Sequence, residues 1–151
     1  MYNKILVPMD GSDTARRGLD EAIALAKTLG SRIRLVHVVN EMPLISPEVT
    51  GATFDRVFDQ LRDYGASLLK TAERLVRDAG IEGDAKLVET VTSPAGEFIV
   101  REAKEWPADL IVCGTHGRRG IRRIVLGSDA EYVVRQSPVP VLLVRAREST
   151  G

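Results

Sequence analysis

The chain has 151 residues, 44% of them hydrophobic and 28% charged, a balance that argues against disorder and suits one globular domain able to bury about 70% of its unfolded surface. Basic and acidic residues number 21 each, so the overall charge gives no reason to expect nucleic acid or a membrane surface as partner. Cys113 is the single cysteine, no apolar run approaches a membrane span, and the start MYNKILVPMDG lacks the pattern of a signal peptide, which together exclude a disulfide framework and lead to the expectation of a cytoplasmic protein without membrane insertion.

KILVPM at residues 4–9 is a short apolar run that ends at Asp10-Gly11-Ser12, and Ala15, Leu19, Ala22, Ile23, Ala26 and Leu29 then recur at helical spacing. Gly30 follows where a left-handed C-terminal cap is expected, and IRLVHVV at 33–39 reads as a buried strand. Residues 40–52 hold two prolines without periodicity and read as a loop. A long helical stripe runs from Phe54 through Phe58, Leu61, Leu69, Ala72 and Val76 to Ala79. AKLVETV at 85–91 is the third strand candidate, and Ser93-Pro94 opens a helix with proline in its first position and Phe98, Ile99, Ala103 and Trp106 on its apolar face. DLIVCG at 109–114 is the fourth strand, Ser128 or Asp129 caps a short helix containing Tyr132 and Val133, and PVLLV at 140–144 is the fifth. Five strands alternating with four helices predict a parallel sheet covered on both faces, because parallel neighbours need crossover connections.

Ligands of such sheets bind beyond the carboxyl ends of the strands, where the strand order reverses. The stretch after the fourth strand, GTHGRRGIRRIVLGS at 114–128, holds four glycines, four arginines and no acidic residue. Glycines admit backbone N–H groups to an anion, and the helix start at Gly127-Ser128 adds further donors, so phosphate is the natural ligand. Arg118, Arg119, Arg122 and Arg123 strengthen the positive field there. The stretch is neither a Walker A loop nor the dinucleotide fingerprint.

The spacing Gly114, two residues, Gly117, nine residues, Gly127-Ser128 resembles the ATP-binding signature of the universal stress protein family. The resemblance extends to the opening KILVPMDGSDTA, to His37-Val38, to Ala108 and the run Asp109-Leu110-Ile111-Val112, and to the closing SPVPVLLV at 137–144. It spans almost the whole chain, residues 1–151 as one domain. It implies a single-domain, three-layer α/β sandwich of the adenine nucleotide alpha hydrolase-like kind, with a five-stranded parallel sheet in the order 3-2-1-4-5 and helices on both faces.

The same resemblance implies ATP or ADP with Mg as ligand. The backbone of Val38 would meet the adenine edge, with Pro8 and Met9 lining that end. Asp10 would reach the ribose or, through water, the metal, and Gly114 would lie against the ribose. Backbone groups at His116, Gly117, Gly127, Ser128 and Asp129 would cradle the phosphates. The Ser128 hydroxyl would donate to a phosphate oxygen, and the Asp129 carboxylate would turn away. A homodimer or higher oligomer is implied through the last strand, from Val139 to Val144 (residues 139–144), which is apolar and stands at an edge in this strand order.

Simpler roles stand beside these. Asp10-Gly11-Ser12 is also a turn and helix cap, His116 a solvent-facing loop residue, His37 a hydrogen-bonded core residue and Cys113 a small core residue. No spacing suggests a structural zinc site. A regulatory nucleotide-binding protein in the stress response, with slow or absent hydrolysis, is the leading expectation. An ATP hydrolase or nucleotidyl transferase is the alternative, although no convincing base with an orienting partner stands out. A phosphoacceptor domain is rejected, because it needs an aspartate and a lysine where this chain has Thr92-Ser93 and Arg145.

Overall fold

The computed structural model describes residues 1–40, 48, 50–115 and 126–147. Their elements are β1 (Lys4–Pro8), α1 (Asp13–Leu29), β2 (Arg32–Asn40), α2 (Gly51–Asp78), β3 (Gly83–Thr90), α3 (Ala95–Glu105), β4 (Leu110–Gly114), α4 (Ser128–Gln136) and β5 (Val141–Val144). The five strands form one parallel sheet in the order β3-β2-β1-β4-β5, as expected from the alternation of periods and from the resemblance.

Two apolar layers flank the sheet. Ile5, Val7, Ile33 and Leu35 pack with Leu19, Ala22 and Ala26 of α1 and Leu69, Ala72 and Val76 of α2. Leu6, Val36 and Ile111 pack on the other side with Ile99, Val100 and Ala103 of α3 and Val133 of α4. Strand residues alternate between faces, so the continuous run Ile5-Leu6-Val7 is buried on both sides. Cys113 belongs to the second layer, and burial pushes its thiol up to about 11.

Ser12 caps α1 by accepting from the Ala15 N–H at 3.1 Å, and Gly30 closes it in the left-handed conformation (φ 70°) while donating to the Ala26 carbonyl. Several boundaries differ from the sequence reading. β1 ends at Pro8 rather than Met9, and α2 begins at Gly51, inside the stretch read as a loop. β3 starts two residues earlier than expected because Gly83 and Asp84 pair with Ile33 and Arg34 of β2. Pro94 is the cap of α3 rather than its first residue. Phe98 is only half-buried, under the Arg101 guanidinium at 4.8 Å, and Val100 takes its place in the core.

On the α3 side of β2 and β3 a charged network completes the cover. Arg34 grips Asp84 with two bonds, Nε to Oδ1 at 2.8 Å and Nη2 to Oδ2 at 2.7 Å, and reaches Glu102 of α3 at 3.0 Å. Lys86 meets the other Glu102 oxygen at 2.5 Å, and the Arg34 guanidinium lies 4.8 Å from the Trp106 ring centre. Glu102 is 3% exposed and is held by both cations, the condition under which a buried carboxylate is tolerated.

Candidate functional site

The strand lengths cut a notch in the carboxyl edge of the sheet. β1 is central, and its last paired residue, Pro8, stands opposite Val36. β2 runs on to Asn40. On the other side Leu6 pairs with Ile111, which places Pro8 level with Cys113 and lets β4 overshoot at Gly114. The notch lies between β1 and β4, where the strand order reverses, which is the position at which parallel α/β sheets bind ligands.

Sequence-predicted residues line this notch. Pro8 ends β1, and Met9 is buried, with its N–H donating to the Val36 carbonyl at 2.8 Å. His37 Nδ1 bonds to the Met9 carbonyl oxygen at 2.6 Å, so His37 is a hydrogen-bonded structural residue, half-buried rather than wholly in the core. Val36 turns its carbonyl toward β1, and by the two-residue alternation of a strand Val38 faces the same side, where β1 has already ended. Asp10 Oδ1 accepts from the Ser12 N–H at 2.8 Å, which makes Asp10 a turn residue.

Gly114 stands at the other wall of the notch. A Cβ there would lie 2.6 Å from Thr14 Oγ1 and 2.7 Å from the Thr14 carbonyl carbon, so the residue is glycine because α1 begins against β4. Thr115 continues the wall, with its N–H donating to the Val144 carbonyl at 3.0 Å and its carbonyl accepting from the Gly127 N–H at 2.7 Å. Those two bonds tie β5 and the start of α4 to the end of β4. The sequence reading missed both threonines. Thr14, a hydroxyl residue two places after a helix cap, carried the only signal for either.

α4 is capped by Gly127 (φ −58°, ψ 153°) and not by Ser128 or Asp129, and among the described residues no side chain caps it. The Gly127 N–H is committed to Thr115 and its carbonyl accepts from Glu131 at 2.8 Å, and the N–H groups that follow it, beginning with Ser128 and Asp129, are those a helix start leaves without an intrahelical acceptor. A helix start with a glycine cap presents those donors and the positive end of the dipole to an anion. The Asp129 carboxylate is engaged by α3: its Oδ1 accepts from the Gly96 N–H at 2.9 Å. His116, Gly117, the four arginines and most of the loop read at 40–52 lie outside the described residues.

Among the described residues no group of three His, Cys, Asp or Glu side chains is placed to hold a metal ion. A separate cleft lies at the opposite end of the sheet, lined by Gly30, Arg32, Gly80 and Glu82.

The fold and the notch define a class: a parallel α/β domain with a helix start beside the switch point of its sheet. The family is settled by likeness to known proteins. The model of the universal stress protein family matches residues 1–145, and the chain belongs to that family. A universal stress protein of Methanocaldococcus jannaschii is 34% identical over 145 residues, covering 96% of this chain and 83% of its own. The crystal structure of a universal stress protein family member from Burkholderia pseudomallei superposes with a TM-score of 0.78 at 34% identity, covering 96% of this chain and 97% of that one. The universal stress protein from Archaeoglobus fulgidus, solved in complex with dAMP, superposes with a TM-score of 0.64 at 26% identity, covering 95% and 98%.

Proposed function

We propose that this chain is an adenine-nucleotide-binding regulatory protein of the stress response, taking ATP or ADP with Mg in the notch at the carboxyl ends of β1, β2 and β4. The observation that carries the reading is the pairing of two features across that notch. On one side the backbone of Val38 faces the space vacated by β1, able to give and accept the hydrogen bonds that an adenine edge needs. On the other, α4 starts at a glycine cap, and among the described residues no side chain caps it. The distance between them is bridged by Asp10 and Gly114, which would flank the ribose, while Pro8 and Met9 line the base end. The Archaeoglobus relative bound to dAMP supports the ligand class.

Mg suits the donor set. One oxygen of Asp10 is held by the Ser12 N–H, and the other can accept a metal-bound water. A single carboxylate together with nucleotide phosphates is the usual protein share of a Mg site. The ion would neutralise phosphate charge. His116, Gly117, Gly127, Ser128 and Asp129 would cradle the phosphates through their backbone.

Regulation rather than turnover fits the described side chains. Asp10 gives one oxygen to the turn and His37 bonds to the Met9 carbonyl, and neither is hydrogen-bonded to a second titratable side chain among the described residues, whereas general-base catalysis needs an oriented base. The hydrolase or transferase reading therefore stands second. No described helix is long and apolar enough to cross a membrane. A cytoplasmic location belongs to the same proposal.

A homodimer through β5 belongs to the same reading. β5 is an edge strand. Pro140 and Val144 turn their carbonyls to β4, so by alternation the backbone groups of Val141 and Leu143 face outward, a ready template for a second copy.

The test is to purify the protein, denature it and identify the released nucleotide, with the Gly117→Val/Gly127→Val double variant in parallel. ATP or ADP in the native protein and none in the variant is the expected result. A native protein that is empty and also fails to bind added Mg-ATP would overturn the reading.

A further inference from the structure

Two glycines and two rings interlock beside the notch. Gly11 follows Asp10 with φ at 84°, and the place where a Cβ would project from it is filled by the hydroxyl oxygen of Tyr64. Gly65, the next residue of α2, is buried against β2 and β3: a Cβ there would lie 2.5 Å from His37 Cδ2 and 3.0 Å from Leu87 Cδ1. The missing side chain lets α2 come down onto the His37 ring. Tyr64 then meets that ring edge-on, with centroids 6.4 Å apart.

The core does not demand a tyrosine at this position. Tyr64 is 39% exposed, and α2 gives Leu69, Ala72 and Val76 to the buried layer instead. What the tyrosine does reach is the turn. Met9 is held through its carbonyl by His37, Asp10 Oδ1 accepts from the Ser12 N–H, and Ser12 caps α1 through Ala15. Gly11 has no side chain to brace it, and the Tyr64 hydroxyl supplies the brace from outside.

We propose that Tyr64 is a positioning residue for the nucleotide site: its hydroxyl, seated on Gly11, fixes the turn that carries Asp10 and so the position of the Asp10 carboxylate. The proposal rests on the nucleotide-binding reading above, in which that carboxylate serves the ribose or a metal-bound water. A side chain on a short turn between a strand end and a helix cap keeps its place only where packing from outside holds the backbone. α2 provides that packing. Phenylalanine at position 64 would keep the ring on His37 and leave a gap above Gly11.

The experiment compares the full chain with Tyr64→Phe, Asp10→Ala and the double variant. Calorimetric titration with ADP and Mg gives affinity, and NMR exchange of the Ser12 amide, the donor to Asp10, reports the turn in the absence of nucleotide. Tyr64→Phe is expected to bind ADP about three- to tenfold more weakly and to exchange the Ser12 amide faster, while in the Asp10→Ala background the same substitution changes affinity by less than about twofold. That non-additivity separates placement of Asp10 from a general loosening of the fold, which would lower affinity by the same factor in both backgrounds. Where Asp10→Ala binds too weakly to titrate, Asp10→Asn takes its place in the cycle. An unchanged affinity in Tyr64→Phe, a loss that simply adds to that of the Asp10 variant, or a Ser12 amide exchanging at the parental rate overturns the proposal. Absence of ADP binding by the unaltered protein is a different result: it removes the underlying reading and the proposal with it.

Discussion

His37 Nδ1 donates to the carbonyl oxygen of Met9 at 2.6 Å. A carbonyl only accepts, so the ring carries its proton on Nδ1. Met9 is thereby held from both ends, because its N–H already donates to Val36, and the turn that delivers Asp10 leaves β1 from a clamped residue. The His37 ring also meets Tyr64 of α2 edge-on, with centroids 6.4 Å apart.

His37→Leu keeps the bulk and removes the bond. The buried Met9 carbonyl would lose its partner, at a cost of about 1–3 kcal/mol, and nucleotide affinity should drop as the Asp10 turn loosens. Urea unfolding and nucleotide titration measure the two effects. An unaltered unfolding midpoint would show that the bond contributes nothing.

Gly114→Ala should destabilise the protein by about 1–3 kcal/mol, as overpacking does. Its Cβ would fall 2.7 Å from a backbone atom of Thr14, which cannot yield unless α1 shifts. Gly51→Ala is the matched control. A Cβ at Gly51 meets nothing within 4 Å, so its stability should stay within about 0.5 kcal/mol of the parent. Thermal melts that rank the two variants equally would contradict the packing argument.

Arg34→Met tests the charged network through pH. The two hydrogen bonds from Arg34 hold the Asp84 carboxyl below its ordinary value, against a smaller opposing effect of burial. A depressed folded value means that the stabilisation is full above the unfolded pKa, about 3.9, and is lost as pH falls through the folded one. The variant should therefore be less stable at neutral pH, by about 1–3 kcal/mol because Glu102 is left buried with Lys86 as its remaining close partner. The gap to the parent should narrow below about pH 4. A gap that stays constant down to pH 2 would mean that Asp84 takes no part in it.

The edge of β5 can be tested without touching its bonds to β4. Leu143→Pro removes an outward N–H, and Leu142→Lys places a charge on a side chain that is 38% exposed. Both variants should sediment as monomers if two copies pair along this strand. Dimers persisting in both would move the interface elsewhere.

The alternation of elements was legible because burial imposes its period on the chain. Leu19, Ala22 and Ala26 repeat at helical spacing since one face of α1 meets the sheet, and Ile111-Val112-Cys113 is continuous because β4 is covered on both faces. The notch was legible as a set of strand ends, with Asp10 after β1, Val38 near the end of β2 and Gly114 at the end of β4. Boundaries were less so. Gly83 and Asp84 have no strand pattern of their own, and they are strand because β2 lies beside them.

What the sequence by itself determined is therefore local and periodic: strand or helix, which residues turn inward, where a glycine ends a helix, and which family the chain resembles. The tertiary structure decided the partners. Gly96 and Asp129 are 33 residues apart, and Arg34 and Glu102 are 68 apart, and nothing in either neighbourhood announces the other. Glu102 is buried because β2 and β3 bring two cations to it, and Gly127, the cap of α4, gives its N–H to Thr115 at the end of β4. Hydrogen bonds and ion pairs act over a few ångströms, so they form only between groups that the sheet order has already brought together.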